Sequence, residues 1–124
     1  MEKERQSAKT FRDLHVWRES HKFVLDVYRY TSGFPKSEMF CLGQQMRRAA
    51  VSIPANIAEG FSRRGKLDKA RFFNISESSL EEVRYYLLLA QDLGYGQVDS
   101  LLCSLEEISR PLNAYTRAIL GSSS

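Results

Sequence analysis

The chain has 124 residues, 43% of them hydrophobic and 27% charged, with a formal net charge of +3 and two cysteines. That composition suits one globular domain with a real core and excludes both a disordered tail and an enzyme with separate catalytic and regulatory units. The longest purely apolar run, Tyr85 to Ala90, is far shorter than the ~20 residues a membrane-spanning helix needs, and Met1-Glu2-Lys3-Glu4-Arg5 has no apolar signal core, so the expected location is the cytoplasm, with no membrane partner.

Residues 1–10, rich in Lys, Glu, Gln and Ser, show no apolar period and read as a mobile arm; the domain is expected over 11–121 and a frayed tail over 122–124. Leu14, Trp17, His21, Val24 and Tyr28 repeat at steps of three and four, which predicts a first helix that Asp13 caps. A second stripe, Val16, Phe23, Val27 and Tyr30, lies beside it. Two stripes exceed what one neighbouring helix needs and point to a further surface. Gly33 is the expected left-handed terminator, with Pro35 free to open the next segment.

A second helix follows, with Leu42, Met46, Ala49, Ile53, Ile57 and Phe61 inward and an end at Arg63 or Arg64. Pro54 should kink it, since proline removes a backbone donor, while Ser52 could bond a carbonyl one turn back. The third helix is predicted from about Leu67 to Leu93, on Phe72, Ser76, Ser79, Val83, Tyr86, Ala90 and Leu93, with Gly94 just past its end. Small residues at 76 and 79 should let the second helix approach closely. The fourth, from Gln97 or Asp99 to Leu120, repeats Leu101, Leu105, Ile108, Leu112, Tyr115 and Ile119 and should bend at Pro111. Four such helices joined by short Gly or Pro loops predict an all-α, antiparallel up-down-up-down four-helix bundle.

Within the second helix, Arg48, Ser52, Asn56, Glu59 and Arg63 fall on one polar stripe beside the apolar one. Something specific must satisfy it. The expected answer is a structural polar network of Ser52, Asn56, Glu59, Ser79 and Glu82, which would fix helix register. Glu59 and Glu82 could also face each other as an acid and base, but cationic or amide partners on the same helices favour the structural reading.

Other chemistry finds little support. A metal site in a bundle core would need inward carboxylates and a Glu-x-x-His pair, and neither His15 nor His21 supplies one. No nucleophile sits in a motif with a base, and no phosphate loop or dinucleotide fingerprint is present. The chain therefore reads as a non-enzyme with no cofactor and no metal. Cys41 and Cys103, far apart in apolar surroundings, read as reduced core thiols rather than a disulfide.

Charge is unevenly spread. Residues 1–46 carry +2, residues 47–71 carry +5 and residues 72–124 carry −4. The middle segment forms a basic belt of Arg47, Arg48, Arg63, Arg64, Lys66, Lys69 and Arg71. Its last members open the third helix, where cations are disfavoured by the helix dipole. A chain that accepts that cost suggests an anionic partner, and phosphate backbones attract such clusters without base-specific contacts. The leading reading is a nucleic-acid-binding protein; the alternative is a protein-interaction scaffold without a nucleic-acid partner, and ordinary solvated faces are the plainest account of the charges.

Phe11-Arg12-Asp13-Leu14-His15-Val16-Trp17, Phe34-Pro35, the run from Gln45 to Gly60 and Ser79-Leu80-Glu81-Glu82 together resemble the bacterial four-helix-bundle family of 23S rRNA intervening-sequence proteins, over about residues 11–120. The resemblance implies a ring-like homopentamer and a relationship to the accessory proteins of diversity-generating retroelements, which are basic pentamers that bind nucleic acid and a reverse transcriptase. It implies no enzymatic activity. The acidic fourth helix departs from the retroelement proteins, which are more basic overall.

Overall fold

Thr10 and Asp13 open the helical path with a reciprocal cap. The Thr10 hydroxyl accepts from the Arg12 amide at 3.2 Å, while the Asp13 carboxylate accepts from the Lys9 and Thr10 amides at 2.8 and 3.1 Å. Asp13 therefore caps a short 3-10 turn, Phe11–Asp13, and not the first long helix, whose N-cap is Leu14 with no side-chain bond. The computed structural model describes residues 8–121; the rest of the expected arm, 1–7, and the tail, 122–124, lie outside the described residues.

Those described residues hold four long helices and no strand: α1 His15–Thr31, α2 Gln44–Ser62, α3 Lys66–Asp92 and α4 Asp99–Gly121. Each packs on the next, and α4 returns to α1, so the four close a ring around one core. None is long and apolar enough to cross a membrane. Phe23 and Val27 of α1, Met46, Ile53 and Ile57 of α2, Phe73, Leu80 and Leu87 of α3, and Leu105, Ile108 and Leu112 of α4 lie inside.

The two stripes of α1 are split between core and surface. Val16, Phe23 and Val27 of one and Val24 of the other enter the core, Leu14, Trp17 and Tyr30 are half-buried against it, and His21 and Tyr28 are exposed. On α3 the expected face holds at Ser76, Ser79, Val83 and Ala90 but not at its aromatic and last members. Phe73, Leu80 and Leu87 point inward beside them, while Phe72 and Tyr86 are half-buried and Leu93 is exposed. Adjacent aromatics at 72 and 73 have the same apolar character, so helical spacing alone does not choose between them.

Gly33 is not left-handed. Among the described residues only Gly94 and Gly96 have positive φ, at 84° and 139°. α1 is instead ended by hydroxyls: Thr31 bonds the Val27 carbonyl at 2.9 Å and Ser32 the Tyr28 carbonyl at 2.7 Å. Gly94 does close α3, where the Tyr95 amide reaches back to the Ala90 carbonyl at 2.9 Å, the six-to-one bond that a left-handed glycine permits.

Between α1 and α2 the chain makes one helical turn, Lys36–Glu38, then a π-helical turn, Met39–Gly43. Neither period shows in the apolar pattern. Cys41 falls in that turn and is exposed, and Cys103 sits on the outer side of α4 between Leu101 and Leu105, also exposed; both are free thiols and neither is a core residue. The extra residue of a π turn rotates its neighbours away from the α-helical face, which accounts for Cys41.

Pro54 is buried inside an unbroken α2. The expected closeness of α2 and α3 is present there. The Ser76 hydroxyl donates to the Ile53 carbonyl at 2.7 Å, and a Cβ on Gly60 would lie 2.8 Å from the Phe73 ring. Glycine at 60 thus allows this approach, and bulk at that position would not.

Candidate nucleic-acid interface

The expected belt divides along α2. Arg47 and Arg48 lie near its start, whereas Arg63, Arg64, Lys66, Lys69 and Arg71 gather around the α2–α3 corner, about 22 Å further along at the α-helical rise. The belt is two clusters, not one continuous surface.

Two of its members are tied to uncharged oxygens. Arg47 donates from Nε to the Thr31 hydroxyl at 2.7 Å and from a terminal nitrogen to the Tyr28 carbonyl at 3.1 Å, with its guanidinium 4.4 Å from the Tyr28 ring centre. It holds α2 against the C-terminus of α1, where a cation also meets the negative end of the helix dipole. Lys69 does the same for α2, donating to the Gly60 and Phe61 carbonyls at 3.0 Å each. Burial draws its ammonium below the ordinary lysine value.

Arg63 and Arg71 are tied to acids. Arg63 pairs with Glu59 at 2.6 Å, and Arg71 pairs with Asp68 at 2.9 Å. Their guanidinium carbons lie 4.7 and 4.4 Å from the Phe72 ring centre. Phe72 therefore serves as a platform for two cations, a function its place in the apolar repeat did not reveal. Arg63 Nε is buried and has no hydrogen-bond partner; the nearest carboxylate oxygen of Asp68 is 3.8 Å away. Lys66, the first residue of α3, is itself partnered.

Arg48 and Arg64 differ from the rest. Both are exposed and neither side chain has a hydrogen bond or ion pair among the described residues. Of the belt's arginines, these two turn their donors to solvent.

The expected polar network is smaller than its five residues. Asn56 donates to the Ser52 carbonyl at 2.8 Å and to its hydroxyl at 2.9 Å, and Ser79 donates to the same Ser52 hydroxyl at 2.7 Å across the α2–α3 seam. Ser52 thus serves Asn56 and Ser79 in place of the carbonyl one turn back. Glu59 is not part of it, being half-exposed and bound to Arg63. Glu82 is exposed and accepts from the Tyr86 hydroxyl at 2.9 Å, so the two acids have separate partners and form no acid and base pair. Ser76 is the buried seam hydroxyl that the stripe on α2 could not show, because its partner is a backbone carbonyl.

A protein-family model, the 23S rRNA-intervening sequence protein, matches residues 12–114. The chain belongs to that family. Comparison with curated proteins finds no match. The family match spans both basic clusters, the Ser52, Asn56 and Ser79 bonds and the π turn, so the intervening-sequence protein unit includes every feature of the candidate interface.

Proposed function

We propose that the protein is a non-enzymatic, self-assembling accessory protein of the cytoplasm that binds RNA or DNA by charge, with little sequence preference. One observation carries the reading. Although most of the belt is engaged within the chain, its charge survives, because Arg47 and Lys69 are bonded to neutral oxygens and only Glu59 and Asp68 offset the seven cations of residues 47–71. Field strength depends on net charge, not on how many donors remain open. Arg48 and Arg64 then supply donors that can reach phosphate.

The helices are inferred to run up, down, up and down. Contacts between α2 and α3 step from 52 with 79 to 60 with 69, and those between α3 and α4 from 77 with 116 to 84 with 106, one number rising as the other falls. A homopentamer, implied by the family resemblance, would repeat both basic clusters five times and multiply a weak affinity by avidity. Leu25 and Tyr28 of α1, exposed at 45% and 41%, support assembly because the core does not absorb them.

A second reading is a protein scaffold, whose partner could be the reverse transcriptase that the resemblance implies. Phe40 and Leu67, exposed at 84% and 79%, favour it. Purification at low salt distinguishes the two. Nuclease-sensitive nucleic acid that accompanies the protein and leaves at high salt supports the first reading; protein free of nucleic acid at every salt concentration supports the scaffold.

A further inference from the structure

We infer that the outer row of α3's first turns, Leu67, Arg71 and Asn74, is a stacking surface for unpaired bases, so that the nucleic acid this protein takes is single-stranded. The inference rests on the charge-based binding of the proposed function and adds the form of strand it selects. Positions 67, 71 and 74 are four and three apart, which sets their side chains in one row on the helix, and all three are exposed.

Arg71 offers a face where Arg64 offers donors. Its Nε and one terminal nitrogen both bond Asp68 Oδ1, at 3.2 and 2.9 Å, and its guanidinium carbon lies 4.4 Å from the Phe72 ring centre. Carboxylate and ring together fix the plane of the group, yet the side chain stays 59% exposed. A planar cation held at one edge and backed by a ring stacks on a nucleobase with little further loss of freedom.

Leu67 supplies the apolar part. It is 79% exposed one turn before Arg71, in the corner where Arg63, Arg64 and Lys66 gather the charge. A phosphate gives such a side chain nothing to pack on, whereas the face of a base does. The side-chain amide of Asn74, which has no hydrogen bond among the described residues, adds a donor and an acceptor for a base edge. Both carboxylates of residues 66–80 are engaged: Asp68 is bound to Arg71, and half-buried Glu77 accepts from the Thr116 hydroxyl at 2.9 Å. In a duplex the base faces are covered by their neighbours, so only an unpaired strand can use the row. There Arg64 takes the phosphate while Arg71 and Leu67 take the base beside it. Every base has such a face, so the contact adds affinity without sequence preference.

Anisotropy titrations of the full chain with a labelled RNA, alone and annealed to its complement, test this. Charge by itself favours the duplex, whose phosphates are denser, yet the parent should bind the single strand about tenfold more tightly. Leu67→Gln and Arg71→Lys, at exposed positions, should each keep the parent's melting temperature and duplex affinity while losing that tenfold; Arg71→Lys retains the charge, so its salt slope should also match the parent's. Leu67→Trp should bind the single strand at least as tightly as the parent, with the new indole's emission quenched on binding. A parent that binds neither form at low salt would overturn the reading of charge-based binding itself. A parent that binds both forms equally would overturn the stacking row alone, as would Leu67→Gln and Arg71→Lys variants that match the parent on the single strand, the result that a protein contact at Leu67 gives.

Discussion

The Ser76 hydroxyl donates to the Ile53 carbonyl at 2.7 Å, with both residues out of solvent and Pro54 following directly. The bond joins α3 to α2 where proline has removed one of α2's own donors, and it runs in the small-residue seam that also holds Ser52, Ser79 and Gly60. Ser76→Ala removes the donor and leaves a small gap. The expected loss is about 1 kcal/mol, read from urea unfolding; an unchanged midpoint would mean that the seam does not depend on this bond.

Gly60→Ala should destabilise although alanine is the better helix former. The new Cβ would meet the Phe73 ring at 2.8 Å and the Lys69 carbonyl at 3.2 Å, and Phe73 is fully buried, so the ring has nowhere to move. Overpacking of this kind costs roughly 1–3 kcal/mol, more than the ~1 kcal/mol gained in helix propensity. Gly65→Ala, with no atom within 4 Å of its Cβ, provides the comparison and should melt close to the parent.

Arg47→Met should lower stability by about 1–2 kcal/mol, because it frees the end of α1 and the Thr31 hydroxyl. Arg48→Gln, one residue on, should not. Paired thermal melts separate the structural arginine from the solvent-facing one.

Stability should fall as pH rises past 10. Burial raises the Tyr30 and Tyr115 hydroxyls above the ordinary tyrosine value, and donation to Glu82 and Glu38 raises those of Tyr86 and Tyr95. A group whose folded pKa lies above its unfolded one contributes stability that is complete below the unfolded value, 10.0, and is lost as pH climbs through the folded one. Lys69, lowered by burial, acts oppositely just below 10.5 but is one group against four. Urea midpoints measured from neutral to strongly alkaline pH should fall together with the appearance of phenolate absorbance; midpoints that rise across that window would contradict the assignment.

Spacing made the four helices legible, along with the inward faces of α2 and α4, because Met46, Ile53 and Ile57, and Leu105, Ile108 and Leu112, leave no second choice of face. It could not choose between Phe72 and Phe73, nor detect the turn Met39–Gly43, whose period differs from both α-helix and strand. That turn exposes Cys41. The cations of the belt were visible as charge, but not their partners. Arg47 finds Tyr28 and Thr31 across the interhelical gap, and Lys69 finds carbonyls that every sequence possesses. Backbone acceptors leave no trace in side-chain pattern, which is also why Ser76 escaped notice as a polar contact.

Salt dependence of RNA binding tests the central claim most directly. Anisotropy of a labelled single-stranded RNA, titrated with the parent and with Arg48→Gln plus Arg64→Gln at several salt concentrations, reads both affinity and slope. The account predicts steep loss of parent affinity with salt, and a slope shallower by about 0.7 for each phosphate contact the variant loses, at an unchanged melting temperature. Equal affinities for parent and variant at every salt concentration, or a parent that binds no RNA at low salt, would contradict it.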